Sequence, residues 1–561
     1  MSKKRVRALI IIISIAFILI AIRLLDIQVI HYSFYKSKAE NQHRRIIPLA
    51  AERGDIYDRN GELFATSIDL PSIYINPKEF KNYEKLEQVL KEKITRFSNR
   101  RLFGWVKRKI DPALADKVKS LNLPGVYFLT EKKRVYPKGR MASQVLGFVG
   151  LDNEGLSGIE LGMEDYLKGE ESSIITESDP AGYELLSKRE SKKKKDSSGA
   201  SIYLTIDESI QFYAERELEK IIKQYSAVSG MIIVADVENG EILALAGKPD
   251  FDPNNYSKSN PRNWRCKAVD VYEPGSTFKT ITAAIGLDAG VVNLESQLKV
   301  LNQLEIGGKI IKNSHNITWK GSTCSLFYML EQSINTVVAQ ISIKLGKDRF
   351  YNKIRDLGFG DLIDVGLPGE SRGIVRDPST WYKPDIAMIS FGQSIAVTPL
   401  QLCAAYIAIA NGGTLIKPQL IKKIESDDQK FVKTSRLEEV RKALSKKTSE
   451  DTIKLLESFV LHGSGRKAQI KGFKVGGKTG TAQKAERGIY VKGRYIASFI
   501  GFAPLSKPKI VALVLIDEPK GVIWGETVCG PGFSQVVENT LRYLSIKPDN
   551  LTGEAKTKNV I

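Results

Sequence analysis

Glu273-Pro274-Gly275-Ser276-Thr277-Phe278-Lys279 decides how the rest of this 561-residue chain is read. A Pro-Gly break opens the stretch, and the run that follows it, Thr280 to Leu287, reads as helix. Helices begin readily at Pro and Gly, so Ser276 falls in the first turn. Side chains three apart on a helix face the same way, which sets the Ser276 hydroxyl beside the Lys279 amine. A serine attacks only when a base removes its proton, and a lysine can do so when burial and nearby cations lower its pKa. The first turn adds backbone N–H groups and a positive end potential that favour a developing oxyanion. The stretch thus predicts a nucleophile and its base, against the plainer reading of a solvated helix start.

Composition narrows the alternatives. Lys and Arg number 84 against 64 Asp and Glu, a net +20. Such an excess often accompanies nucleic-acid binding. Here much of it sits in Lys188-Arg189 and Lys192 to Lys195, with no interleaved aromatic residues to stack bases. We expect a solvated loop there and no nucleic-acid partner; anionic lipid or wall polymer explains the charge equally well. His31, His43, His315 and His462 stand at no metal-ligand spacing with Cys or carboxylates, so neither a metal nor another cofactor is expected. Cys266, Cys324, Cys403 and Cys529 are scattered. They read as buried thiols, with a disulfide as the alternative.

In chain order, Lys3, Lys4, Arg5 and Arg7 precede an apolar run from Ala8 to Ile22 that Leu24-Leu25 extends past Arg23. Residues 8–25 predict a membrane-spanning anchor with residues 1–7 in the cytoplasm and the remainder outside; a cleaved signal peptide is the alternative. Residues 26–199 read as a mixed pedestal, with strand-like Ser72 to Ile75 and Gly125 to Leu129 and helical Tyr83 to Phe97. Its charged turn stretches, Glu52-Arg53-Gly54-Asp55 to Gly61 and Arg134-Val135-Tyr136-Pro137, predict Arg–Asp ion pairs that pin a loop. Ser187 to Ala200 is a composition break and the expected domain boundary.

The second domain, 200–546, opens with a strand at Ser201 to Ile206 and a helix at Asp207 to Tyr225. Gly230 to Val237 and Glu241 to Gly247 form a hairpin about Glu238-Asn239-Gly240. Leu294 to Leu461 is expected to be mainly helical. Phe473 to Lys484, Tyr495 to Ala503 and Lys509 to Ile516 are three more strands, and Phe533 to Leu544 a closing helix. Strands at both ends with helices between predict one sheet assembled from distant segments. The polar tail 547–561 is expected to be disordered.

Two further motifs belong to this domain. Gln332-Ser333-Ile334-Asn335 stands at the start of an amphipathic helix, where it could also be an ordinary cap. Gly476-Gly477-Lys478-Thr479-Gly480-Thr481 places glycines, hydroxyls and a charge in an apolar strand, which suits close approach of another backbone. An extended peptide could add to that edge. The N–H groups of Ser276 and Thr481 could then form an oxyanion hole, with Lys478 and the threonine hydroxyls facing an anionic group. A phosphate-binding loop is excluded, because the continuation is strand-like where that loop needs a helix.

Ser-x-x-Lys, Ser-x-Asn and Lys-Thr-Gly, in this order, are the set found in β-lactamases and penicillin-binding proteins. On them, and on Arg53-Gly54 to Gly61, Leu204-Thr205-Ile206-Asp207, Phe391-Gly392-Gln393-Ser394 and Ala410-Asn411-Gly412-Gly413, the chain resembles a class B penicillin-binding protein over nearly its whole length. The segment from Pro112 to Glu160 makes it look most like the division-specific, septal branch. The elongation-specific relative, a D,D-carboxypeptidase, and a β-lactam-hydrolysing or sensing relative are the alternatives. Trp524-Gly525-Glu526 and Cys529-Gly530-Pro531-Gly532-Phe533 depart from the family pattern.

The resemblance implies an α+β fold, an α/β sandwich with a central antiparallel sheet and a helical subdomain, behind a non-catalytic pedestal of dimerisation type and one transmembrane helix. It implies cross-linking of peptidoglycan stem peptides ending in D-Ala-D-Ala in the bacterial inner membrane, at the septum. Ser276 attacks, Lys279 takes its proton, Ser333 and Lys478 relay a proton to the leaving group, and Asn335, Thr479, Gly480 and Thr481 bind substrate. β-Lactam antibiotics should acylate Ser276. A membrane glycan polymerase and other division proteins are the implied partners.

Overall fold

The computed structural model describes residues 3–49, 52–98, 103–169, 172–178, 184–192, 198–314, 321–426, 431–486 and 489–549. They form two compact units. The first comprises Met1–Glu52, Ser67–Lys133 and Gly169–Ser198, the second Arg53–Thr66, Arg134–Lys168 and Gly199–Ile561.

The first unit opens with helix α1, Lys3–Leu25, prolonged as a π-helix over Asp26–Ile30. At 1.5 Å per residue its 28 residues reach about 42 Å, enough to cross a bilayer once. Its Leu, Ile and Phe side chains are exposed. Farther on, Ile73, Ile75, Phe80, Leu86, Leu90, Ile110 and Val118 make a small core of their own. The helix expected from Tyr83 to Phe97 ends at Leu90, because Lys91 takes a left-handed conformation, φ 54°. The lysine-rich boundary segment differs too. Glu184–Lys192 is a strand paired with Ser172–Ser178; ladder hydrogen bonds come from the backbone, so polar side chains do not prevent them. Lys193 to Lys195 of that charge run fall outside the described residues.

In the second unit, helix α2 (Glu208–Tyr225) starts where expected, because the Asp207 carboxylate accepts the N–H groups of Ser209 and Ile210. Strands β1 (Ser229–Asp236) and β2 (Ile242–Lys248) are the expected hairpin. Helices α3 (Phe278–Asp288), α4 (Leu326–Glu331), α5 (Asn335–Leu345), α6 (Pro399–Ala410) and α7 (Lys446–His462) follow. Strands β3 (Gly476–Glu486), β4 (Ile489–Ala503) and β5 (Ile510–Asp517) and helix α8 (Gly530–Tyr543) complete the unit. The strands make one sheet in the order β2-β1-β5-β4-β3, antiparallel at every step.

Both faces of that sheet are covered, which is why β1 and β5 are apolar without alternation. Ile232, Val234, Val514 and Ile516 pack with Ile210 and Leu218 of α2 and Phe533 and Val537 of α8. Met231, Ile233, Leu513 and Leu515 pack into the cluster that holds α3 and α6. Full burial of each such side chain is worth about 1.5–3 kcal/mol.

Between α3 and α7 the chain is less helical than expected. Short hairpins interrupt it, among them Gln303–Ile306 with Lys309–Lys312 and Ile421–Glu425 with Val432–Thr434. The signal for the first was Gly307-Gly308, both at positive φ. His315 falls outside the described residues.

The pinned loop is present, with other partners. Arg53 pairs with Glu160 at 2.5 Å and Glu164 at 2.6 Å, and Arg134 with Glu160 at 2.7 Å. Asp58 instead caps its own turn, accepting the N–H groups of Asn60 and Glu62. All four cysteines are buried and unbridged. At the C-terminus, Asp549 accepts the N–H of Lys474 at 2.6 Å and of Ser506 at 3.1 Å; the rest of the expected disordered tail, 550–561, lies outside the described residues.

Candidate active site

Ser276 sits in a single 3₁₀ turn, Gly275–Thr277, that runs into α3. Phe278 to Gly286 are buried without a break, the Thr277 carbonyl accepts the Tyr406 hydroxyl at 2.9 Å, and the Gly275 N–H donates to the Gly392 carbonyl. Position 392 must be glycine, since a Cβ there would lie 2.3 Å from the Gly275 carbonyl oxygen.

Edge strand β3 lies against the turn. A Cβ at Gly480 would come 2.3 Å from Ser498 Oγ, 3.1 Å from the Thr277 methyl and 3.2 Å from the Pro274 carbonyl oxygen. Glycine there brings strand and turn into backbone contact, as its placement inside an apolar strand suggests. Being last in the sheet, β3 leaves one row of backbone groups outside it.

Ser333 falls between α4 and α5 with φ 51°, a left-handed conformation that turns its hydroxyl inward. Lys279 Nζ donates to Ser333 Oγ at 3.0 Å and also to the Ser333 carbonyl. Lys478 Nζ donates to the same hydroxyl at 3.1 Å. Two lysines from distant parts of the chain therefore converge on one serine. Both are fully buried. Among the described residues neither amine has a carboxylate partner; Lys478 lies over the Phe459 ring instead, 4.1 Å from its centroid. Burial, and then the neighbouring Lys478 charge, hold the Lys279 amine well below the usual lysine range. Burial brings Lys478 down to about 7. An amine in such surroundings can give up or take a proton near neutral pH.

The remaining site residues are placed as follows. Asn335 begins α5, and its amide donates to the Lys312 carbonyl at 2.9 Å. Thr479 follows Lys478 on β3, with its carbonyl 3.4 Å from that amine. The Thr481 hydroxyl accepts the Gly525 N–H at 3.4 Å. Hydrogen bonds thus join Lys279, Ser333 and Lys478, whereas Asn335 and Thr481 point their side chains at backbone groups. No hydrogen bond of the Ser276 hydroxyl is present among the described residues. Sequence reasoning did not single out Phe459, Tyr406 or Glu273 for this site. Phe459 sits in an ordinary amphipathic helix pattern and carried no signal.

The described site is thus a buried lysine pair closed on Ser333, beside the Ser276 turn and the edge of β3. Residues 230–538 match the penicillin binding protein transpeptidase domain and residues 48–204 the penicillin-binding protein dimerisation domain; the chain belongs to the class B penicillin-binding proteins. It is similar to stage V sporulation protein D of Bacillus subtilis, at 36% identity over 95% of this chain and 85% of that protein. Peptidoglycan D,D-transpeptidase FtsI of Escherichia coli K12 is 30% identical over 95% of this chain and 91% of that one. Penicillin binding protein 2X from Streptococcus thermophilus has the same fold, with a TM-score of 0.75 and 24% identity over 90% of this chain and 80% of that chain.

Proposed function

We propose that this chain is a peptidoglycan D,D-transpeptidase working through an acyl-enzyme on Ser276. The observation that carries the reading is the convergence of Lys279 and Lys478 on Ser333 Oγ beside the Ser276 turn. Ser276 Oγ attacks the carbonyl between two terminal D-alanines, and neutral Lys279 takes its proton. The C–N bond breaks as Ser333, supported by Lys478, protonates the departing D-alanine. An amine from a neighbouring stem then attacks the ester and restores Ser276. The N–H groups of Ser276 and Thr481 are the oxyanion donors. Asn335, Thr479, Gly480 and Thr481 hold the donor peptide against the edge of β3, where an extended chain can add as a strand. A β-lactam imitates the donor and acylates the same hydroxyl.

The N-terminal helix supports a single-pass anchor in the inner membrane, with this domain outside. Residues 26–199 act as a non-catalytic pedestal that meets a membrane glycan polymerase and other division proteins, and the enzyme works at the septum; the sequence resemblance supports both. Labelling with a fluorescent penicillin tests the activity. We expect wild type to be labelled and Ser276→Ala not; labelling that survives the substitution, or rapid turnover of the drug by wild type, overturns the reading. Localising a tagged chain to septum or side wall tests the division role.

A further inference from the structure

Glu273 stands three residues before Ser276, and its carboxylate gathers three segments. Its Oε1 accepts the Ser394 N–H at 3.0 Å. The Tyr490 hydroxyl donates to its two oxygens, at 3.2 and 3.0 Å. Ser394 ends the loop whose Gly392 carbonyl accepts the Gly275 N–H, and it holds a left-handed φ of 59° that serine seldom adopts. Tyr490 lies at the start of β4, the partner of the strand that carries Lys478. The nucleophile turn, the 392–394 loop and the far end of the β3–β4 hairpin are thereby fastened to one carboxylate. Burial raises the carboxyl above its usual range, against the pull of these hydrogen bonds and of the Lys309 charge, which comes from the strand Lys309–Lys312.

Hydrogen bonds to a carboxylate are about twice as strong as those between neutral groups. The lysine pair joins α3 to β3 through the Ser333 hydroxyl; Glu273, just before the Ser276 turn, joins that turn's entry to the 392–394 loop and to β4, the hydrogen-bonded neighbour of β3. We propose that Glu273 is a positioning residue for acylation, which sets the gap between the Ser276 turn and the β3 edge along which the donor lies. The inference rests on the acyl-enzyme reading above. Glu273 touches neither the reacting carbonyl nor its proton. Its loss is expected in the limiting acylation rate more than in drug binding, because misplacement of a bound carbonyl costs rate.

The test uses the full-length chain in membranes and resolves penicillin binding from acylation by rapid-mixing fluorescence. In Glu273→Ala the limiting rate should fall about tenfold, with apparent binding changed less than about threefold. Glu273→Gln keeps an acceptor for Ser394 and a partner for Tyr490, and should return to within about threefold of wild type. Tyr490→Phe removes a single hydroxyl and should slow acylation about threefold at an unchanged melting temperature. A wild-type limiting rate in Glu273→Ala overturns the proposal, as does equal loss in Glu273→Ala and Glu273→Gln. If Glu273→Ala does not fold, Tyr490→Phe decides, and a wild-type rate there overturns it. Wild type and Ser276→Ala run alongside: labelling that persists in Ser276→Ala refutes the acyl-enzyme reading itself, whereas normal behaviour of that pair confines any failure to Glu273.

Discussion

Two pairs of cations are buried in the same unit of this protein, and they have opposite surroundings. Arg53 and Arg134 close on Glu160, which is fully buried, and Arg53 also reaches Glu164. Lys279 and Lys478 close on a serine hydroxyl. Burial pushes the Glu160 carboxyl up, but Arg134 and Arg53 pull it down by more, so it ends below the usual range. Arg53 ends above its own. Those protons are fixed. With no carboxylate beside them among the described residues, both lysines are driven the other way, Lys279 well below the usual lysine range and Lys478 down to about 7. The presence or absence of one carboxylate separates a charge cluster that holds a loop from one that can do chemistry.

The largest expected effect breaks the lysine side. Lys279→Met removes the proposed base and should lower the acylation rate by about 10²–10⁴-fold, while the melting temperature holds or rises because a buried amine is gone. Loss of fold with loss of rate would make Lys279 structural. The matching change on the arginine side is Glu160→Ala. It removes the buried carboxylate that Arg53 and Arg134 share and should destabilise the unit by about 3–5 kcal/mol, read as a lower melting temperature with little change in acylation per folded molecule. The pH signs differ as well. Glu160 is depressed in the fold, so its contribution is present above the ordinary carboxylate pKa and is lost as pH falls through the folded value. Lys478 binds its proton less well folded than unfolded, so stability rises with pH between about 7 and 10.5, and Lys478→Met should flatten that rise.

The same contrast explains what could be read from the chain. The five strands and α2, α3 and α8 were legible because apolar runs and turn residues are local signals. Asp207 as a cap and the hairpin about Gly240 needed no tertiary knowledge. The short hairpins between α3 and α7 were missed because their strands are three to five residues long and polar. Arg53 and Arg134 were visible as loop pins, but their partner was not Asp58 or Asp55. Glu160 lies 107 residues from Arg53, and sequence spacing says nothing about such a pairing. The site behaved likewise. Ser276, Ser333 and Lys478 stand out as residues misplaced for their local element, whereas Phe459, Glu273 and Tyr490 look like ordinary members of theirs and acquire a role only through contacts made across the fold.

A smaller effect sharpens the lysine half. The two amines share one hydroxyl, so on the proposed mechanism they should titrate as a pair, with the singly protonated form active and a bell-shaped acylation profile. Lys478→Gln removes one charge. The Lys279 ammonium is then less penalised, so the acid limb should move to higher pH and the alkaline limb should disappear, with the maximal rate down about 10–100-fold. An acid limb that stays in place would show that burial alone sets the Lys279 titration.

Phe459→Leu is the gentlest test of the same balance. Besides its hydrogen bonds to Ser333 Oγ and the Thr479 carbonyl, the Lys478 charge lies 4.1 Å from the ring centroid, and a cation desolvated over an aromatic face gains about 2 kcal/mol. Leucine fills much of the volume without the quadrupole. The charged form of Lys478 loses support, so its proton should leave more easily and the alkaline limb should move down by about half to one pH unit. At a pH well below that limb the rate should be close to that of wild type, and the melting temperature should drop by an amount matching about 1 kcal/mol of lost packing. The arginine cluster supplies the control, because its charges are held by a carboxylate and no ring change near Lys478 should alter the acid stability that Glu160 governs. An alkaline limb unmoved in Phe459→Leu would mean that the one remaining proton resides on Lys279, away from the ring, and would exchange the two lysines' roles in the relay.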